Sequence, residues 1–266
     1  MVEVSQPTVV AEMNEEIITL EALGMKTLPR YYALIIGVSD YQYAGAGLPN
    51  LDMPAKDAER LYNLLTEKYA FDQQYATLLK SPTREQILNH LERISNEVTE
   101  KDNVLIFYAG HGDYNKVKDF GYWVPSDAKL GNTSGYIPNS TIKDYVGATK
   151  SKHTLLITDA CFSGSIFKSR SLESVRRQFN ELYKDKSRKA MTSGNLTEVP
   201  DESIFIKFLL KALEDNSDPL LASSTLFTRI NEPILNNSTT TPKLGVIQGA
   251  GDEGGDFIFI KKDTKK

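Results

Sequence analysis

The sequence contains a single cysteine, Cys161, so no intrachain disulfide can form, and the pattern suits a reducing, cytoplasmic setting. It lacks any apolar run approaching the roughly 20 residues that cross a bilayer, so no membrane partner is expected. It lacks a basic excess: 31 Lys and Arg stand against 35 Asp and Glu, a formal net charge of −4. Nucleic-acid binding would favour the opposite balance, clustered on one face. The start, Met1-Val2-Glu3-Val4 followed by Glu12, Glu15 and Glu16, lacks the basic and apolar regions of a secretory signal. Zinc-ligand spacing is also missing, since His90, His111, His153 and Cys161 fall far apart. There is no internal repeat and no low-complexity tract. What is present is an ordinary globular composition, 40% hydrophobic and 25% charged over 266 residues, enough for one large α/β domain or two small ones.

Apolar β-type runs alternate with helical patterns through most of the chain. Residues 31–38, 75–79, 103–108 and 153–158 read as strands, the third and fourth buried on both faces. Asp52 is placed to cap a helix running from Pro54 to about residue 68, with Leu61, Leu64 and Leu65 on its apolar side. A second amphipathic helix occupies 83–98, and a short one 140–146. Residues 121–124 form a small excursion. Further on, 189–193 reads as a short strand, 203–216 and 224–235 as helices, and 257–261 as the strand that closes the sheet. Strand–helix–strand order of this kind predicts a mostly parallel, six-stranded α/β sheet with helices on both faces.

In such a sheet, ligands bind beyond the carboxyl ends of the strands. Two of those ends carry reactive residues. One strand runs into Tyr108-Ala109-Gly110-His111-Gly112, the other into Thr158-Asp159-Ala160-Cys161-Phe162-Ser163-Gly164. If these strands are neighbours, His111 and Cys161 emerge at one edge. A thiol is nucleophilic as thiolate, and an adjacent imidazole helps to supply that state. Either residue alone reads more simply as packed structure; the joint placement after two buried strands is what points to chemistry. His90 and His153 read as structural. In a strand continuation Asp159 points the same way as Cys161, which sets a carboxylate beside the thiol. Asp57 shares the inward face of Leu61 and Leu64 near the start of its helix, where a first-turn carboxylate is also favoured by the helix dipole.

These blocks resemble those of caspase-like cysteine peptidases (clan CD, peptidase C14), and most closely prokaryotic metacaspases. The matching segments are LIIGVSDY (34–41), PAKDAERL (54–61), LIFYAGHG (105–112), GYWVPSDA (121–128), LLITDACFSGS (155–165), RKAMTSG (188–194) and GAGDEGGDFIFI (249–260). The resemblance spans about residues 31–261 and implies a caspase-like fold. It implies a catalytic dyad of His111 and Cys161, whose separation in sequence is that of caspases. It implies an oxyanion hole from the backbone N–H groups of Gly112 and Cys161. It implies that Asp57 and Asp159 line an acidic pocket for Arg or Lys, and that the strand end at Ser193 and Gly194 pairs with the substrate backbone. Caspases proper cut after Asp and have Gln where this chain has Asp159. Metacaspases often carry Ser two residues before the histidine; here it is Ala109.

The expected organisation is an N-terminal segment at 1–29, a peptidase domain at 30–261 and a short tail at 262–266. Within the domain, a large-subunit-like part (30–167) and a small-subunit-like part (189–261) flank a basic linker, 168–188. The linker carries Lys168, Arg170, Arg176, Arg177, Lys184, Lys186 and Arg188. It reads either as a site of self-cleavage or as a solvated helical linker. Residues 16–23 could form a short helix, and 1–29 reads either as an inhibitory or docking arm or as a disordered tail or linker; an upstream regulatory domain or activator is a further expected partner. No cofactor is expected. Many metacaspases need calcium, but the residues after Asp127 and after Cys161 offer no paired carboxylates, so calcium dependence is not expected. The expected partner is a protein or peptide with Arg or Lys at the cleaved bond. A non-catalytic caspase-fold interaction module and a different thiol hydrolase or acyltransferase on the same sheet are the alternatives.

Overall fold

The computed structural model describes residues 20–115, 117–118, 120–160, 167–168, 178–194 and 203–262. In chain order the elements are β1 (Tyr31–Gly37), α1 (Pro54–Lys68), β2 (Ala76–Lys80), α2 (Arg84–Glu97), β3 (Asn103–Ala109), β4 (Gly112–Asn115), β5 (Phe120–Trp123), β6 (Ile137–Pro138), α3 (Asn139–Ala148) and β7 (His153–Asp159). They continue with β8 (Phe167–Lys168), α4 (Phe179–Lys184), β9 (Ser187–Thr192), α5 (Ile204–Glu214), β10 (Leu220–Ala222), α6 (Ser223–Asn237), β11 (Lys243–Ile247) and β12 (Ile258–Ile260). The chain is thus the mixed α/β protein that the alternation of runs predicts.

The central sheet has the order β2-β1-β3-β7-β9-β11-β8. The first five strands are parallel; β11 is antiparallel to β9, and the two-residue β8 adds antiparallel to β11 at the edge. β1, β3 and β7 are buried along their whole length, as continuous apolar runs covered on both faces must be. Alternate side chains of these strands feed two cores. One, with Ile35, Phe107 and Ile157, packs under α1, α5 and α6. The other, with Leu34, Ile106 and Leu156, packs under α2 and α3. Among the described residues no helix is long and apolar enough to cross a membrane.

Two expectations are corrected. The sixth long strand of the sheet is β11, not 257–261: β12 pairs antiparallel with β10 in a separate two-stranded sheet. The apolar run at 257–260 reports burial rather than a partner. Phe257 and Phe259 bury their rings against Tyr31, Tyr69 and Phe71 beneath α1, while β11, with Lys243 and Gly245, has a weak strand signal. Asp52 does not cap α1: Met53 holds that position without a side-chain bond. Instead Ser39 Oγ, in the loop after β1, accepts the Ala55 N–H at 3.0 Å, so tertiary contact satisfies the orphan donor. At α2 the local signal suffices, because Thr83 and Gln86 form a reciprocal capping box.

The end of the charged segment is part of the folded body. α4 buries Tyr183, whose hydroxyl shares a hydrogen bond of 2.9 Å with the Asn103 side chain and whose ring packs edge-on to His153 at 4.4 Å. Arg188 is 3% exposed and gives its guanidinium to the carbonyls of Thr149, Ser151, Lys152 and Ser187. Lys189 pairs with Asp256 at 3.1 Å, both buried, and Ser223 and Ser224 donate to the same carboxylate. Residues 188–194 and 249–260, separate blocks in the sequence, are thereby one packed unit.

His153 is fully buried, with Nε2 donating to the Asp185 carbonyl at 3.1 Å. Burial pushes its pKa down to about 3. An unfolded histidine titrates near ~6.5, so the unfolded chain takes up a proton the native state refuses. Stability should be fully present above that value and fall as the pH drops toward 3, by up to about 1.4 kcal/mol per pH unit from this residue. Chemical denaturation of wild type and His153→Gln between pH 7 and 4 checks this: the variant's stability should depend less steeply on pH.

Candidate active site

Parallel pairing places the ends of three strands at one level: Gly37 is opposite Ala109, and Ala109 is opposite Asp159. His111 lies two residues beyond Ala109. Cys161 lies two residues beyond Asp159 and falls, with Phe162 to Ile166, outside the described residues. β3 and β7 are adjacent, as the sequence required for the two reactive loops to share an edge.

Gly110 makes the turn that carries the chain from β3 to His111. Its φ is +151°, and a Cβ there would stand 3.1 Å from both the Tyr41 hydroxyl and the Val38 Cβ. The His111 peptide is held on both sides. Its N–H donates to the Tyr41 hydroxyl at 2.8 Å, and its carbonyl accepts from the Tyr108 hydroxyl at 2.7 Å. The ring lies against Tyr41, with centroids 4.9 Å apart. Nε2 is 2.8 Å from the Pro49 carbonyl oxygen. A carbonyl can only accept, so Nε2 carries the proton and Nδ1 is the basic nitrogen of the neutral ring.

Gly112 opens β4, opposite Trp123. The bond from the Val124 N–H to the His111 carbonyl, 3.2 Å, brackets this pair and makes it the non-hydrogen-bonded kind. The Gly112 N–H is therefore directed away from β5.

Asp159 ends β7 on the face of Leu155 and Ile157, the face that α1 covers. It is 2% exposed, and its Oδ1 has no hydrogen-bond partner among the described residues. Burial pushes this carboxyl's pKa up; the nearby hydroxyls of Ser203 and Ser193 act in the opposite sense without cancelling it. Ser193 follows β9 on the same face, two residues beyond the buried Met191, and its N–H donates to the Thr158 carbonyl at 3.1 Å. Gly194 follows directly, two residues beyond the end of β9. Asp57 sits in the first turn of α1, also buried, with Oδ1 3.4 Å from Nη1 of the exposed Arg60. The first turn reaches the sheet because a Cβ at Gly37 would lie 2.3 Å from the Pro54 carbonyl oxygen; only glycine lets the helix close onto β1. Asp57, Asp159 and Ser193 thus belong to one face of the sheet at its carboxyl edge.

Several residues around the site escape sequence reasoning. Pro49 acts through its backbone carbonyl, which no residue type advertises. Tyr41 and Tyr108 lie in strand-end blocks where aromatics read simply as core. Ser203 is legible as the cap of α5, whose Oγ accepts the Ile206 N–H at 3.2 Å, but not as a neighbour of Asp159. Among the described residues no group of three or more His, Cys, Asp or Glu is placed to hold a metal ion.

Comparison with known proteins agrees with this architecture. The crystal structure of protein GSU0716 from Geobacter sulfurreducens is similar, with a TM-score of 0.57 and 13% identity. The similarity covers 86% of this chain and 100% of that one, and at such identity it speaks for the fold alone. No curated protein matches the sequence significantly. The family model of the caspase domain, Peptidase C14, matches residues 30–245, from just before β1 into β11. The chain belongs to the caspase-domain family of cysteine peptidases.

Proposed function

We propose that this protein is an endopeptidase of the metacaspase kind that cleaves after Arg or Lys, with Cys161 as nucleophile and His111 as acid–base partner. The observation that carries the reading is the register of β3 on β7, which starts the loops bearing these two residues from adjacent, level strand ends. In the proposed reaction Nδ1 of His111 takes the Cys161 thiol proton. The sulfur attacks the scissile carbonyl carbon, and the N–H groups of Gly112 and Cys161 receive the oxyanion. Loss of one such donor typically costs about 3 kcal/mol of barrier. Collapse breaks the C–N bond, and the imidazolium returns its proton to the leaving amine. Water, deprotonated by the same imidazole, then hydrolyses the thioester and frees the thiol.

Specificity for a cation rests on Asp159 and Asp57. A buried carboxyl with an unpartnered oxygen is costly unless something supplies the missing donor and charge. A guanidinium or ammonium from the substrate would do both, whereas an Asp side chain would add like charge. Ser193 and Gly194 would present backbone to the extended substrate. Calcium independence belongs to the same reading and is supported by the scarcity of paired carboxylates after Asp127 and Cys161. So does a cytoplasmic setting, supported by the lone cysteine.

Residues 30–261 would form the peptidase domain and 1–29 a regulatory or connecting segment. Self-processing, where it occurs, should be confined to the earlier part of the basic segment. Arg188 and Lys189 are buried, Lys184 lies in α4, and the Lys186 backbone is tied on both sides to Glu253 and Gly255, so the bonds after Lys168, Arg170, Arg176 and Arg177 are left to consider.

Two measurements check the proposal. Fluorogenic peptides differing only in Arg, Lys or Asp before the cleaved bond, assayed in EDTA, should show turnover for the first two alone. Asp159→Asn should lower kcat/KM for the Arg peptide by at least about 100-fold, the loss of a buried charge pair. Equal turnover of the Asp peptide would defeat the specificity. Intact mass spectrometry of wild type and Cys161→Ala should show fragments in the wild type alone, ending between residues 168 and 177. Identical intact masses would count against self-processing.

A further inference from the structure

A catalytic histidine needs its ring held in one tautomer and one direction, and many hydrolases use a buried carboxylate to do so. Here the holding group is a loop, 39–51, that touches His111 at three points. The Tyr41 hydroxyl accepts its backbone N–H, the Tyr41 ring packs beside the imidazole, and the Pro49 carbonyl accepts from Nε2.

The loop is closed on itself. Asn50 Oδ1 accepts the Tyr41 N–H at 2.8 Å, and the Ser39 carbonyl accepts the Leu51 N–H at 2.9 Å. It is also braced from β2. Ser81 Oγ accepts the N–H groups of Ser39 and Asp40 at 3.2 and 2.9 Å. Ser81 holds a φ of +46°, a left-handed conformation that a non-glycine residue adopts only where its surroundings demand it.

We propose that Tyr41 is a positioning residue for His111, fixing the histidine backbone while the same closed loop fixes its ring. Backbone and ring are then referred to one rigid body. With Nε2 committed to Pro49, Nδ1 has a single direction, and that direction is set before any substrate arrives. Tyr108 completes the grip from the carbonyl side, stacked on Trp123 at 4.3 Å. The inference rests on the reading of His111 as acid–base partner, and it adds a residue whose loss should slow the chemistry without weakening substrate binding.

The test is Tyr41→Phe, which keeps the ring and removes the hydroxyl. Two readouts are needed. The first is turnover of the Arg peptide: kcat should fall by about tenfold or more with KM within about twofold, the pattern of misplaced catalytic geometry. The second needs no turnover: the His111 backbone amide, followed by hydrogen exchange, should lose protection by about tenfold relative to wild type. Asn50→Ala, which loosens the loop without touching His111, should move both readouts the same way by less, and it decides the matter if Tyr41→Phe fails to fold. Unchanged kcat, or unchanged exchange at His111, would overturn the proposal. If the wild-type chain shows no turnover at all, the peptidase reading falls, and the exchange comparison still decides whether Tyr41 holds His111.

Discussion

Parallel pairing of β3 with β7 is the constraint on which the rest of the molecule depends. Both strands are buried along their whole length, so their backbone groups must pair with neighbouring strands and their register cannot slide without moving every side chain to the wrong face. Ala109 opposite Asp159 is one consequence. It levels the two strand ends, so that Gly110, whose N–H donates to the Asp159 carbonyl, and Ala160 leave the sheet from adjacent strands. β1 joins at the same level and brings α1, with Asp57, onto the face that Asp159 occupies.

Burial sets the electrostatics of that edge. Asp159 is a carboxyl in a nearly dry place with one oxygen unpartnered among the described residues, and its raised pKa expresses the cost of charging it there. Two other buried charges among the described residues have several partners: Lys189 pairs with Asp256, which also accepts from two serines, and the two terminal nitrogens of Arg188 donate to four carbonyls. His111 shows the same economy of means, since neutral acceptors and hydroxyls position it with no carboxylate in contact among the described groups.

Much of this was legible from residue order. Apolar runs at β1, β3 and β7 and the periodicity of α1, α2, α5 and α6 announce a layered α/β sheet, because burial on two faces or on one leaves different patterns. The placement of His111, Asp159 and Asp57 followed from strand ends and a helix face. What stayed hidden depends on tertiary partners. The run at 257–260 had to be buried, but which strand it joined was decided by the aromatic pocket around Tyr31 and Phe71. α1 takes its cap from Ser39, across a loop rather than from its own flank. The grip on His111 comes from a proline carbonyl and two phenols, and a backbone acceptor leaves no trace in composition. The basic segment reads as solvated throughout, yet its last residues include Tyr183 and Arg188, whose burial answers Asn103 and the α3–β7 loop.

The central claim is that the loops after β3 and β7 form one reactive centre beside an acidic pocket. The most direct measurement is peptide mapping after incubation with an Arg-directed covalent peptide inhibitor. The account predicts one adduct, on Cys161, absent when His111 is replaced by Ala and not formed by the matching Asp-directed reagent. An unlabelled Cys161 in the folded wild-type protein, or labelling indifferent to His111 and to the charge of the reagent, would contradict it.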